Sequence, residues 1–380
     1  MNNEVLVVIG SLNRGGAEIH LSQVLPELKK NDINVKVYLL SDLGELTEPL
    51  QAQGVPIIRP WICRKFLNTP LRFLKILINS FQLFLYQLFK RPSIIHFFLP
   101  QTYLIGGALS LLTFLPVRLM SRRSMNYYLE KYPPVIRKLE YWLHTKMTYI
   151  LGNSKKVVEQ LEHEEGVPQQ KIQLIYNGIR LKESQKINLK KELSVPQNSI
   201  LLVKCANLIP YKGHTDLIEA LSYLDQKQRW DMVLVGNDSA HIAEKLKKQA
   251  QELGIGERVH FLGKRSDVVD ILHSCDIGVL ASHEEGFSNA ILEGMAVGLP
   301  MVVTDVGGNA EAVIHKKSGL VVPSRSPKDM AIALQCLLDE KSLRVIYGNA
   351  AQTRFEENFQ LENCVQAYYD LYRSILNKTN

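Results

Sequence analysis

Short apolar runs alternate with amphipathic stretches along almost the whole chain. Residues 5–9, 35–40, 55–58, 94–98, 147–152 and 172–176 are runs rich in Val, Ile, Leu, Phe and Tyr, each closed by polar or turn residues. Such runs are expected of parallel strands buried on both faces. Residues 17–30 carry the 3.6-residue spacing of a helix, and 103–120 is apolar enough to read as core. Residues 180–199 are polar and lysine-rich with no strong period, as in a linker with a short helix. The alternation then restarts, with strands at 200–205, 232–235, 259–262, 277–280, 301–304 and 319–322. Helices fall at 214–224, 241–253, 268–273, 288–297, 328–338, 342–357 and 361–376. Repeated strand–helix alternation predicts an α/β chain with two Rossmann-like, doubly wound parallel-sheet domains. The expected division is 1–185 and 186–360, with 361–380 a terminal helix reaching back to the first domain. Two such domains leave a ligand cleft at the carboxyl ends of their strands.

Composition fits a globular chain of two domains: 380 residues, 46% hydrophobic and 22% charged. The five cysteines are scattered without a C-x-x-C pair, which argues against structural zinc or a disulfide framework. Met1 to Glu4 leads directly into a strand without the basic start of a signal peptide, so a cytoplasmic location is expected. Charge changes the picture more. Residues 1–190 hold 25 Lys+Arg and 14 Asp+Glu, a balance of +11, and the remainder holds 20 and 24, or −4, giving the total of +7. A basic half predicts an anionic partner. Nucleic acid is disfavoured, because the basic residues are not interleaved with a stacking platform. The apolar stretch 71–89 is interrupted by Lys75, Asn79, Gln82 and Gln87, too often for a membrane span. It reads as a core helix against a sheet, as a helix lying in the interface of an anionic membrane, or as both on different faces.

The most informative motif is Glu285-Gly286-Phe287-Ser288-Asn289, continued to Glu293. It places two carboxylates eight positions apart across a loop-to-helix junction. A helix N-terminus presents unpaired N–H groups and partial positive charge, so Phe287, Ser288 and Asn289 suit a diphosphate. Glu293 can accept from the ribose diol and Glu285 from sugar hydroxyls, while Lys212 supplies the cation. Carboxylates amid Phe287, Ala290, Ile291, Leu292 and Met295 would be costly without partners.

These residues resemble the paired-glutamate motif of the retaining glycosyltransferases of family 4, which have the GT-B fold. Further landmarks lie in family order: Gly15-Gly16-Ala17-Glu18, Asn153-Ser154, Tyr176-Asn177-Gly178, Lys212-Gly213, and Thr304 to Gly308 with Glu311. The resemblance implies two domains facing each other across a cleft. It implies that the sugar of a nucleotide diphosphate sugar passes, with retention, to a glycan or lipid-linked glycan at the inner face of a membrane. Glu285 and Lys212 would be catalytic. Gly15, Gly16, Asn207, Lys212, Glu285, Gly286, Phe287, Ser288, Asn289 and Glu293 would bind the donor. No cofactor is implied, and no metal, since no Asp-x-Asp occurs. Asn207 stands where the family usually has an arginine, and Arg14 is a candidate substitute cation. His96 is the candidate for a catalytic histidine in the first domain, and Arg122 and Arg123 for binding an acceptor phosphate. Two competing readings are a nucleotide-sugar epimerase of the same fold and a non-catalytic sugar-nucleotide-binding subunit.

Overall fold

The computed structural model describes residues 3–63, 69–185 and 187–379. The chain divides into two compact units, Met1–Gly178 with Leu361–Asn380, and Ile179–Gln360. The closing segment groups with the first unit.

The first unit is built on a parallel sheet of seven strands: β1 (Glu4–Ile9), β2 (Asn34–Leu39), β3 (Ile57–Ile58), β4 (Ile94–Phe98), β5 (Arg118–Arg122), β6 (Tyr149–Gly152) and β7 (Ile172–Leu174). Their order is β3-β2-β1-β4-β5-β6-β7, so the winding reverses between β1 and β4. Sequence periodicity did not reveal β5. Its apolar run is short and framed by arginines, and pairing with β4 and β6 on either side makes it a strand. One face of the sheet is covered by the Gly16–Lys30 and Leu361–Thr379 helices, whose Leu21, Leu25, Tyr368 and Tyr372 pack over Val7, Ile9 and Phe98. The other face is covered by the Thr69–Lys90, Pro100–Leu112 and Pro134–Lys146 helices, through Leu83, Tyr103 and Leu143.

The Thr69–Lys90 helix buries an unusual set of side chains. Apart from Leu83, its buried positions are polar: Lys75, Asn79, Gln82 and Gln87. Lys75 pairs with Asp42 at 2.6 Å. The Asn79 amide exchanges hydrogen bonds with the backbone of Ile62, and the Gln82 amide accepts from Trp61 N–H and donates to the Arg59 carbonyl. A purely core helix would reverse this pattern.

The second unit carries a six-stranded parallel sheet: β8 (Ile200–Cys205), β9 (Trp230–Val235), β10 (Val259–Gly263), β11 (Ile277–Leu280), β12 (Met301–Thr304) and β13 (Gly319–Val322). The order is β10-β9-β8-β11-β12-β13. Its strands are near-continuous apolar runs because helices cover both faces. The core around Leu202, Trp230, Met232, Val279 and Leu334 lies wholly within this unit. Winding reverses between β8 and β11, and crevices for ligands form at such a reversal.

Candidate functional site

The loops following β8, β11 and β12 converge at that reversal. After β8 the chain runs through a short 3-10 turn, Pro210–Lys212, into the His214–Ser222 helix. Gly213 joins the two at φ 66°, and a Cβ there would lie 1.8 Å from the Ala281 carbonyl oxygen. The His283 N–H donates to the Tyr211 carbonyl at 2.7 Å, and His283 Nε2 meets Asp216 at 2.8 Å. The lysine turn is thereby clamped to the segment leaving β11.

On this frame the structure brings together Lys212 and Glu285. Lys212 Nζ donates to Glu285 Oε1 at 2.7 Å, and Ser282 Oγ donates to the same oxygen at 2.7 Å. Among the described residues, Oε2 has no hydrogen-bond partner. The segment bearing Glu285 is braced by the loop after β12. Gly307, at φ 50°, sits where a Cβ would lie 2.1 Å from the Glu285 carbonyl, and Gly308 N–H donates to Gly286 O at 2.8 Å. Thr304 Oγ1 donates to Ser282 O at 2.6 Å, and the Asn309 amide to Thr304 O at 3.0 Å. Gly286, Phe287 and Ser288 are buried, and Phe287 packs on Phe359. The Asn289–Ala296 helix follows, with Ser288 at its N-cap position and no side-chain cap bond on its first turn.

Glu293 lies within that helix, half-buried, and burial pushes its carboxyl up to about 7. It has no hydrogen bond or ion pair among the described residues, and the Cys205 thiol at the end of β8 senses its charge. A carboxylate in that setting is satisfied only by a ligand or by solvent. Asn207 is exposed, and its Oδ1 accepts from Asn237 N–H at 3.1 Å. It latches the loops after β8 and β9, where an arginine would have added charge.

Beneath this surface lies a residue that the sequence reading passed over. Lys204, next to the end of β8, is fully buried, and its Nζ donates to the Lys212 carbonyl at 2.7 Å. Burial lowers its ammonium to about 7, and the nearby Lys212 charge adds to this. A lone lysine within the apolar run Ile200-Leu201-Leu202-Val203-Lys204-Cys205 was the available signal.

The first-unit candidates fare differently. Gly15 and Gly16 stand at the start of the Gly16–Lys30 helix, whose N-cap position, Gly15, makes no side-chain cap bond. A Cβ on Gly15 would meet the Glu18 carboxylate, while Gly16 has open space around it. Arg14 pairs with Glu45 at 3.3 Å on the surface of this unit. His96 is enclosed within the first unit. It is fully buried, with Nδ1 2.7 Å from the Tyr372 hydroxyl and Nε2 2.9 Å from Ser121 Oγ, and burial lowers its pKa to about 3. Both ring nitrogens are thus engaged by hydroxyl groups of the same unit. Arg122 is enclosed as well. Its guanidinium is buried between Glu165 at 2.8 Å and Glu140 at 2.9 Å, beside His144. Glu140, His144 and Glu165 form the one metal-ligand-like cluster among the described residues, and the guanidinium supplies the positive charge there. Arg123, the next residue, is half-buried and donates to Asn177 Oδ1 at 2.6 Å, with Glu18 and Tyr368 near it. Leu99 opens the Pro100–Leu112 helix at φ 73°, a strained value for a leucine. It follows β4, at the reversal of the first sheet, where nothing in the sequence announced it.

Known proteins match over most of the chain. The family model described as Glycosyltransferase Family 4 matches residues 14–183, and the one described as Glycosyl transferases group 1 matches 185–354. The chain is 34% identical over 227 residues to the N,N'-diacetylbacillosaminyl-diphospho-undecaprenol alpha-1,3-N-acetylgalactosaminyltransferase of Campylobacter jejuni. It is 28% identical over 217 residues to the N-acetyl-alpha-D-glucosaminyl L-malate synthase of Bacillus anthracis. Each alignment covers 56% of this chain and 56% of the relative, so the chain spans little more than half the length of these curated proteins. Among solved structures, Anabaena HepE in complex with UDP and glucose superposes with a TM-score of 0.82 at 20% identity. That match covers 98% of this chain and 99% of HepE, and it concerns the fold.

Proposed function

Because the chain belongs to the family 4 glycosyltransferases, with two parallel-sheet units of the GT-B type, we propose that it moves a hexosyl or N-acetylhexosaminyl group from a uridine diphosphate sugar to a lipid-linked glycan. The observation that carries this reading is the Lys212–Glu285 pair, with the uncapped Asn289–Ala296 helix and the unpaired Glu293 in the same segment. The diphosphate would take over the Lys212 ammonium and the first-turn amides of that helix, in place of a divalent ion. Glu293 would accept from the ribose diol. Glu285 would accept from a sugar hydroxyl through the oxygen that Lys212 and Ser282 leave open. In the transfer, the bond from the anomeric carbon to the diphosphate oxygen breaks as the acceptor oxygen attacks from the same face. The acceptor proton passes to the departing phosphate oxygen, so configuration is retained and no side-chain nucleophile is needed.

The choice of uridine and of an undecaprenol-type acceptor is supported by HepE, which was solved with UDP, and by the Campylobacter relative, which acts on a diphospho-undecaprenol sugar. The test is product analysis with purified protein, uridine diphosphate sugars and a lipid diphosphate glycan. Free UDP with a lengthened α-linked glycan supports the reading, in the presence of a chelator as in its absence. An isomerised nucleotide sugar would instead show an epimerase. Lys212→Ala is expected to cut kcat by about 100-fold or more, because leaving-group charge then goes unmatched. Activity of that variant within a factor of a few of the native chain would remove Lys212 from the mechanism.

A further inference from the structure

The outward surface of the Thr69–Lys90 helix is as apolar as its inward surface is polar. Phe73, Leu77, Phe81, Phe84 and Leu88 follow at spacings of three and four and share one arc, and Phe73 is 62% exposed. Phe81 and Phe84 stack with centroids 6.4 Å apart. The patch extends beyond the helix. Gln87 accepts from Thr113 Oγ1 at 3.0 Å, and Arg91 donates to the Thr113 carbonyl at 3.3 Å. These bonds hold the turn that carries Leu112 and Phe114, the latter 81% exposed, against the end of the helix that carries Leu88 and Phe89. Trp61, held by Gln82, adds a further exposed indole. Monomeric surfaces rarely expose a contiguous apolar area of this kind without a partner.

Charge identifies the partner. Arg72 at one end of the helix and Lys90 and Arg91 at the other are exposed, and no charged side chain lies on the arc between them. Residues 49–129 contain ten Lys or Arg and no Asp or Glu. At 22 residues the helix is long, but with Lys75 buried beneath it, it does not meet the requirement for a span, and no described helix does. Apolar residues along one arc, basic residues at both ends and an exposed indole nearby are the pattern of a helix lying flat in a bilayer interface. A second copy of the chain fits less well, because a two-fold helix pair would set the basic ends against each other.

We propose that this face, from Trp61 along the Thr69–Lys90 helix to Phe114, seats the first unit on an anionic lipid bilayer. For its purpose it rests on the lipid-linked acceptor reading, since a seated enzyme meets a membrane-bound substrate in two dimensions. The surface itself stands on its own geometry.

The experiment is cosedimentation of the full chain with phosphatidylcholine vesicles and with phosphatidylglycerol-containing vesicles. Two variants accompany it: Phe73→Ser with Phe81→Ser and Phe89→Ser, and Arg72→Gln with Lys90→Gln. All these positions are exposed, and retained UDP-induced thermal stabilisation reports folding and the donor site separately. The native chain is expected to prefer the anionic vesicles, and each variant to bind them at least about tenfold more weakly. Absence of vesicle binding by the native chain overturns the proposal, as does undiminished binding by the serine variant. So does a dimer in sedimentation that the serine variant dissolves, which would assign the face to self-association. Vesicle binding without any response to UDP would instead overturn the donor reading and leave the membrane face standing.

Discussion

Glu293 shows what one residue reveals when its environment is read as chemistry. Its carboxyl is raised to about 7 from an ordinary 4.5 by burial, so the native state holds the proton more tightly than the unfolded chain does. Ionisation therefore costs stability. The cost is absent below about pH 4.5 and full above about pH 7. A shift of that size corresponds to about 3 kcal/mol, and partial solvent access reduces it to on the order of 1–2 kcal/mol. Glu293→Gln should thus melt higher than the native chain at pH 8 and alike at pH 4.5. If the carboxylate receives the ribose diol, native affinity for UDP should fall as pH drops through about 7, and the variant should bind weakly throughout. Equal UDP affinity of the two proteins at pH 8 would falsify the ribose role. Lys204 has the opposite sign. Its amine is lowered to about 7, so its burial penalty is present below pH 7 and fades as pH rises toward 10.5. Lys204→Met keeps the packing but leaves the Lys212 carbonyl without its donor. Melting curves should lose the rise between pH 7 and 10.5, and UDP titration should show about tenfold weaker binding, the equivalent of one lost hydrogen bond. The paired glutamates and Lys212 were legible in the sequence because their spacing fixes them on one loop and helix. Lys204 was not, because hydropathy alone assigns a strand lysine to the surface.

At the scale of elements, sequence periodicity located most strands and helices of the second unit to within a residue or two, since continuous apolar runs there coincide with strands buried on both faces. It failed where an element takes its character from its neighbours. β5 is a strand through its partners, and the Thr69–Lys90 helix has its polar side inward because a loop and Asp42 need satisfying. His96 takes its setting from its neighbours in the same way. A histidine at the end of a strand looks like a catalytic group until the C-terminal helix arrives with Tyr372. The Tyr372–His96–Ser121 chain then ties that helix to β4 and β5 through two buried hydrogen bonds. Tyr372→Phe should leave His96 Nδ1 unsatisfied and destabilise the first unit by about 1–2 kcal/mol, measured by denaturant titration. Unchanged transfer activity per folded molecule would mark His96 as structural, whereas a selective fall in kcat would assign it a part in the transfer.

The whole molecule is wired so that one unit interrupts the other. The chain leaves the first unit after Gly178, builds the second in one continuous stretch, and returns at Leu361 with a helix that completes a core begun at Val5. Leu361, Val365, Tyr368 and Tyr372 are buried against that core, so residues 1–178 alone would expose a long apolar face. The second unit has no such dependence, because its core lies within its own stretch. It also carries Lys204, Lys212, Glu285 and Glu293. Residues 179–360 expressed alone should fold cooperatively and gain thermal stability with UDP, while 1–178 alone should aggregate or stay unfolded by circular dichroism. Joining 1–178 to 361–380 through a short flexible linker should restore its fold, since loop closure by a short connection costs little. A soluble, cooperatively melting 1–178 fragment would show instead that the returning helix contributes packing without being required. The basic excess lies in the unit that carries the apolar face, with 23 Lys+Arg against 15 Asp+Glu, whereas the unit that carries the nucleotide candidates is nearly balanced at 22 against 23. Raised salt should therefore weaken attachment to anionic vesicles while leaving the UDP-induced shift of 179–360 largely intact.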